Sequence, residues 1–219
     1  MNFNQTYSVI IRTKNSGRTI KRTLDSLLKQ SHSPTQIIIV DSGSTDDTLS
    51  IVKKYNVLIL YYPTNIPFNY SKAINIGVGN AVNKYILILS SHVEFLNKKS
   101  VHFMYKELHK SNKCIAVSLH RTNLKVKKVV NGSNDLNKEV IDMKSFQGKA
   151  MFNFCSFIRK SSWKEYPFNT SIPSCEDQDW SYYFIKKGFY SVIILDTLIS
   201  YQNPYYNVNK DALDTFTIG

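Results

Sequence analysis

The chain has 219 residues, carries 28 Lys and Arg against 16 Asp and Glu for a net charge of +12, and is 42% hydrophobic and 20% charged. Those fractions exclude a disordered chain, and the length gives room for a sizeable core without disulfide staples. The charge suits a phosphorylated substrate, nucleic acid or an anionic membrane surface, and equally a plain solvated basic face. Cys114, Cys155 and Cys175 are odd in number and lack metal-ligand spacing, so reduced thiols are expected. No apolar run approaches the roughly 18 to 20 residues a membrane span needs. The start, MNFNQTYSVIIRTKN, lacks the layout of a signal peptide, and a cytoplasmic protein is expected.

YSVIIRT at 7–13 is rich in β-formers, and Ile20, Leu24, Leu27 and Leu28 then recur at helical spacing until SHSP breaks the pattern. QIIIVDS at 36–42 is an unbroken apolar run of the buried-strand type. GSTDDTLSIVKKY follows as a helix start, with Ser44 as N-cap and Asp46 and Asp47 in the first turn. VLILYY at 57–62 predicts a third strand. YSKAINIGVGNAV predicts a helix with Ala73, Ile74, Gly77, Ala81 and Val82 on one face, and YILIL at 85–89 a fourth strand. A helix with Val101, Met104, Tyr105 and Leu108 inward leads to CIAVSLH at 114–120. This alternation implies right-handed crossovers and an α/β fold, its central sheet mostly parallel with helices on both faces. After His120 the rhythm fails. Residues 121–150 hold seven Lys or Arg against three acids with little periodicity, the composition of a long functional loop or a mobile segment. No repeat or linker divides the chain.

Ligands of an open parallel sheet bind beyond the carboxyl ends of its strands. The first strand ends in Arg12, Thr13, Lys14 and Asn15, the second in Asp41, Ser42, Gly43 and Ser44, the fourth in Ser90, Ser91 and His92. An acid there can accept hydrogen bonds from a ribose or base edge, and amides opening a helix can meet phosphate, so a nucleotide is expected. Neither GxGxxG nor GxxxxGK[ST] follows the first strand, so the dinucleotide and P-loop readings lack their fingerprints. Further on, SCEDQDWSYYFIKKGFY at 174–190 gathers Glu176, Asp177 and Asp179 at a helix start, with Trp180, Tyr183 and Phe184 as its buried face. Ordinary capping accounts for acids in that position. Adjacent carboxylates, a Pro- and Ser-containing loop and a Trp in the next turn also describe a general base at a pocket rim with an aromatic platform.

In order and spacing, SVIIRTKNSGRTIKRTLDSLLKQ, QIIIVDSGSTDDT, FNYSKAINIGVGNAVNKYILILSSH and EDQDW resemble the family-2 inverting glycosyltransferases of the GT-A fold, over roughly residues 7–205. The resemblance implies a single domain, residues 1–219. Its 1–120 half would hold a nucleotide-diphosphate-sugar donor, and its 121–219 half would form the acceptor side and carry the catalytic base. The implied reaction moves the sugar, with inversion, to a hydroxyl of a glycan or polyprenyl-diphosphate-linked acceptor in surface polysaccharide biosynthesis. Carried over by position, the resemblance implies nucleoside contacts at Thr13, Asn15 and Asp41, with Asp41 on the base. Ser42 and Gly43 would shape that loop, and Lys72 and Asn75 would touch the donor. Asp177 would be the base, Glu176 would orient it or meet the acceptor, and Trp180 would pack behind both on the acceptor side. An acceptor hydroxyl needs a carboxylate to take its proton, and a departing diphosphate needs positive charge or a metal.

Ser90, Ser91 and His92 stand where most members of that family have Asp-x-Asp, whose last acid binds a divalent metal; some relatives carry Ser-x-His. Ser90 and Ser91 are then expected at the donor. His92 is expected as a ligand for Mn or Mg, as a donor to phosphate, or as a residue merely closing the strand. Asn203 in ISYQNPYYN is the counterpart of a His the family often offers to the metal. The basic charge fits an acceptor at the inner face of the plasma membrane, with a peripheral membrane contact through 121–150 and the 98–113 helix and no nucleic-acid partner. Two other classes suit the fold. A sugar-nucleotide pyrophosphorylase would need more than the thin basic loop SGR at 16–18. A non-catalytic basic binding module would explain the missing Asp-x-Asp but not EDQDW.

Overall fold

The computed structural model describes residues 6–120, 136–196 and 198–201. Strand β1 (Tyr7–Thr13) is buried along almost its whole length, with Val9 and Ile11 in one hydrophobic cluster and Ile10 in another. A strand that hides both faces belongs inside a sheet covered on both sides. It pairs in parallel with β2 (Gln36–Asp41) and β4 (Tyr85–Ser90), and β3 (Leu58–Tyr61) continues the parallel set beyond β2. On the other side, β8 (Cys155–Arg159) runs antiparallel between β4 and β6 (Cys114–Leu119). Next come β9 (Tyr190–Ile194), parallel to β6, and β7 (Lys138–Ile141), antiparallel at the edge. The strand order is β3-β2-β1-β4-β8-β6-β9-β7, and β5 (Val93–Phe95) and β10 (Ile199–Tyr201) form a separate antiparallel pair.

Two helix layers cover the sheet. Leu24 and Leu27 of α1 (Ile20–Leu28) and Met104 and Leu108 of α4 (Ser100–His109) join the cluster of Val9 and Ile11. Ala73, Ile74 and Val78 of α3 (Tyr70–Gly79) and Trp180 and Phe184 of α6 (Glu176–Ile185) surround Ile10 on the opposite face. Two short helices, α2 (Thr48–Val52) and α5 (Lys160–Glu165), complete the set. Among the described residues no helix is long and apolar enough to cross a membrane.

Several boundaries differ from the sequence expectation. Leu28 is 47% exposed, leaving Ile20, Leu24 and Leu27 as the inward stripe of α1. Val82 is 78% exposed, because α3 ends at Gly79 and the helical period no longer governs the residues after it. Ser44 does not cap α2, which begins only at Thr48; its hydroxyl donates to Asp41 instead. Asp46 lies before that helix and accepts from the Thr48 backbone and hydroxyl and from the Gly17 amide. Of the irregular 121–150 stretch, 121–135 lies outside the described residues, and Lys138–Ile141 forms the edge strand β7. Glu139 and Val140 of β7 are exposed, so its burial pattern gives little alternation to read.

Candidate active site

The parallel register sets the strand ends side by side. Thr13 lies opposite Asp41, and Arg12 opposite Ser90. The carboxyl ends of β1, β2 and β4 therefore open onto one cleft of about 300 Å³, whose lining includes Arg12, Thr13, Lys14, Ser42, Ser90 and His92. Aromatic rings complete it from two sides. Phe68 and Tyr70, edge to face at 4.8 Å and each nearly half exposed, come from the entry to α3; Phe154 and Tyr201 come from the C-terminal half. Half-exposed rings beside cations suit a base or sugar ring. A larger groove of about 480 Å³ runs along α1 from Arg18 to Lys98, but Lys21 there is paired with Asp25 and Arg22 with Glu94. Of the expected site residues, Thr13, Ser42, Ser90, Ser91 and His92 line the strand-end cleft, whereas Asn15, Asp41, Gly43, Glu176 and Asp177 are not part of its lining.

Asp41 is 1% exposed, and its carboxylate holds its own loop: Oδ2 accepts the Gly43 and Ser44 amides at 3.0 Å and Oδ1 the Ser44 hydroxyl. Gly43 sits at φ +85°, the left-handed region that glycine enters without strain. Asn15, also left-handed at φ 48°, donates its amide to Ser44 Oγ and accepts the Thr45 amide at 2.8 Å. Asn15, Asp41, Ser42 and Gly43 thus belong to one locked loop bridging β1 and β2. The Thr13 hydroxyl, buried at the cleft, has no hydrogen-bond partner.

The Ser-Ser-His triplet ties β4 to the start of α1. Ser91, 2% exposed, shares a 2.8 Å hydrogen bond with the Ser16 hydroxyl, and its carbonyl accepts the Thr23 hydroxyl at 2.9 Å. His92 Nδ1 lies 3.0 Å from Thr19 Oγ1, and its ring meets Tyr201 edge to face. Burial lowers the His92 pKa below 6.5, which favours neutral imidazole. Among the described residues no three His, Cys, Asp or Glu side chains gather to hold a metal ion, and Asn203 lies outside those residues. Among the described residues, one imidazole with a nitrogen already at Thr19, flanked by two serines, does not by itself make a site for a resident divalent ion.

The acids of EDQDW open α6 after Cys175, whose left-handed φ of 60° turns the chain into the helix. Glu176, 6% exposed, accepts Asn153 Nδ2 at 2.7 Å and stands 3.9 Å from Arg12 Nη1. Asp177 accepts the Asn153 amide at 3.1 Å and the Gln178 amide at 3.0 Å. Burial raises its pKa above the usual 3.8, and the neighbouring Glu176 charge adds to the rise. Arg12 connects this pair to the cleft: it lines the cleft and also donates Nη2 to the Asn153 carbonyl at 3.3 Å.

Trp180, Asn75 and Lys72 also lie outside the cleft lining. Trp180 is fully buried, stacks on Phe168 and donates its indole N–H to the Tyr166 carbonyl, so it packs behind the acids but offers no platform to an acceptor. Asn75 accepts the Trp163 indole N–H and the Phe168 amide and donates to the Phe168 carbonyl, so its amide holds 163–168 against α3. Lys72 sits half-exposed in the first turn of α3, outside the cleft lining. Conversely, Asn153, Tyr70, Phe68, Phe154 and Tyr201 had no signal beyond being polar or aromatic. Arg12 had one, a cation directly after the apolar run at 9–11.

The sequence model of Glycosyl transferase family 2 matches residues 8–166, and the chain belongs to that family. Poly(ribitol-phosphate) beta-N-acetylglucosaminyltransferase TarP of Staphylococcus aureus is 25% identical to it, over 91% of this chain and 68% of TarP. An uncharacterized glycosyltransferase of Mycoplasma pneumoniae is 38% identical over 44% of this chain and 34% of its own. Of the solved structures, S. aureus TarS 1-349 superposes with a TM-score of 0.68 at 21% identity, over 90% of this chain and 59% of that one. A mannosyltransferase of Pyrobaculum calidifontis, in complex with GDP-Man and Mn2+, gives 0.69 at 15% identity, over 91% and 57%. These likenesses establish the GT-A fold. The chain spans less than two thirds of either solved structure and about a third of the Mycoplasma relative.

Proposed function

We propose that this chain transfers a sugar from a nucleotide-diphosphate donor to a hydroxyl of a glycan or lipid-linked acceptor, with inversion, and that Asp177 is the general base. One observation supports the reading: Arg12, which lines the strand-end cleft of the donor half, stands 3.9 Å from Glu176 and donates to the carbonyl of Asn153, the residue that bonds to both Glu176 and Asp177. Asp177 takes the acceptor proton while the hydroxyl oxygen bonds to the anomeric carbon and the bond from that carbon to the diphosphate oxygen breaks. Attack from the face opposite the leaving group inverts the centre. A carboxylate of raised pKa is a stronger proton acceptor than an ordinary one, so burial adds to its driving force. Lys14, on the cleft, supplies positive charge for the departing diphosphate.

Support for the donor class comes from TarS, solved with UDP-GlcNAc, and from the GDP-Man complex of the mannosyltransferase. Support for a surface-polysaccharide acceptor comes from TarP, from an O-antigen chain rhamnosyltransferase of Salmonella typhimurium and from an Escherichia coli enzyme acting on a diphosphoundecaprenol-linked sugar. Work at the cytoplasmic face of the membrane, through a peripheral contact of the basic surface, belongs to the same reading. A pyrophosphorylase is disfavoured because the turn at 16–18 has given its Ser16 and Gly17 amides to Thr48 and Asp46, leaving no open phosphate cradle there.

The donor half is tested at Asp41. Asp41→Ala removes the acceptor of two amides and a hydroxyl, so the loop should loosen and UDP or GDP should bind more weakly by about 1.5–3 kcal/mol. Calorimetry on the purified variant measures this, and unchanged affinity for both nucleotides would take the Asp41 loop out of the donor site.

A further inference from the structure

Arg12 is an unusual residue for the middle of a sheet. It is the penultimate residue of the interior strand β1, with a side chain only 13% exposed; its guanidinium lies 5.1 Å from the Tyr70 ring centroid, and its two terminal nitrogens face Glu176 and the Asn153 carbonyl. The approach to Glu176, 3.9 Å, is a charge contact rather than a hydrogen bond. Asn153 completes the unit by holding both acids, Glu176 through its side chain and Asp177 through its backbone. Arg12 Nε and Asn153 Oδ1 are buried without hydrogen-bond partners, as is the neighbouring Thr13 hydroxyl. Buried polar groups in folded proteins are almost always satisfied, so the unpaired atoms of Arg12 and Thr13, two residues that line the cleft, are suited to meet a polar ligand there.

We propose that Arg12 is a positioning residue for the reaction: its guanidinium, seated on Tyr70, holds Glu176 against Asn153 and so sets the placement and charge environment of Asp177. The inference rests on the reading of Asp177 as base and deepens it. A buried carboxylate next to a second one resists ionisation, and a cation beside the second offsets part of that cost. The other groups near Asp177 do not do this. Asp179, on the same helix, accepts the Tyr166 hydroxyl, and Lys149, on the segment leading to Asn153, is exposed. The strands packed on α6 bring only Cys114 of β6 and Tyr190 of β9, both at the ends opposite the one where α6 begins. Among the described residues, Arg12 is therefore the cation placed to act on the pair.

Carboxyl-carbon NMR of the labelled protein over a pH series tests this without any substrate, the Asp177 signal being assigned by its loss in Asp177→Asn. Its titration midpoint is expected above the ordinary 3.8 in the wild type, and about half a unit to one unit higher still in Arg12→Gln, where the Glu176 charge stands uncompensated. Arg12→Lys, which keeps the charge without the fork, should restore part of the difference, and Glu176→Gln should move the midpoint the other way. The acid limb of nucleoside diphosphate release should follow the same order. A midpoint unmoved in Arg12→Gln overturns the inference; if that variant does not fold, a wild-type midpoint in Arg12→Lys together with wild-type turnover overturns it equally. A midpoint that moves while Asp177→Asn keeps normal turnover would retire the base reading and leave the electrostatic coupling standing.

Discussion

Asp177→Asn is expected to lower kcat by about 10²- to 10⁴-fold while donor affinity stays within about twofold of wild type. The substitution keeps shape and removes the proton acceptor, so its effect falls on the chemical step. The sign of the pH dependence follows from burial. The base must be ionised to work, its pKa is raised above 3.8, and so wild-type kcat should fall at a higher pH than an ordinary carboxylate would give as acid is added. Glu176 is the competing candidate, since the two acids are adjacent and both bond to Asn153. Steady-state kinetics of Asp177→Asn beside Glu176→Gln decide between them: near-normal turnover in the first with abolition in the second would transfer the role to Glu176.

The second large effect concerns the scaffold. Gly77→Ala should destabilise the protein by about 1–3 kcal/mol, although Ala is the better helix former by up to about 1 kcal/mol. A Cβ at that position would stand 2.2 Å from Ile10 Cγ2 and 3.2 Å from Val40 Cγ2, both branched side chains fully buried in the sheet. Carbon atoms pack at about 3.5–4.0 Å, so α3 would have to withdraw by more than an ångström. That retreat would be felt at the site, because Asn69, which caps α3, donates to the carbonyls of Thr170 and Ile172, shortly before Glu176. Thermal unfolding should show the midpoint lower by several degrees, at about 2–4 °C per kcal/mol for a chain of this size. A midpoint equal to or above wild type would mean that the helix and sheet adjust to the methyl group at no cost.

What could be read from the chain followed the range of the physical signal. Continuous apolar runs located β1, β2, β4 and β6 to within a residue or so, because burial on both faces leaves little freedom of composition. The antiparallel entry of β8 between β4 and β6 left no comparable trace. Its pairing joins Leu87 to Phe157, far apart in the chain, and no local period reports such a partner. The same limit hid the centre of the site: Arg12 and Glu176 are remote in sequence, and Asn153 is an ordinary loop residue until the sheet brings it between them. Cys175 adopts a left-handed conformation that its side chain does not advertise. Trp180 shows the converse, since a Trp one turn into a helix fits the core as well as a platform, and only its full burial against Phe168 distinguishes the two. The Ser-Ser-His triplet was visible as a departure from Asp-x-Asp, whereas its ties to Ser16, Thr19 and Thr23 depend on α1 lying across the end of β4.

The central claim, a cleft that turns over a nucleotide-linked sugar, is tested most directly by incubating the protein with a panel of UDP- and GDP-sugars and measuring released nucleoside diphosphate, with Asp177→Asn alongside. The account predicts release from at least one donor, competition by the matching nucleoside diphosphate, and suppression in Asp177→Asn. Absence of both binding and release across the panel in folded protein, or incorporation of labelled pyrophosphate into a donor, would contradict it.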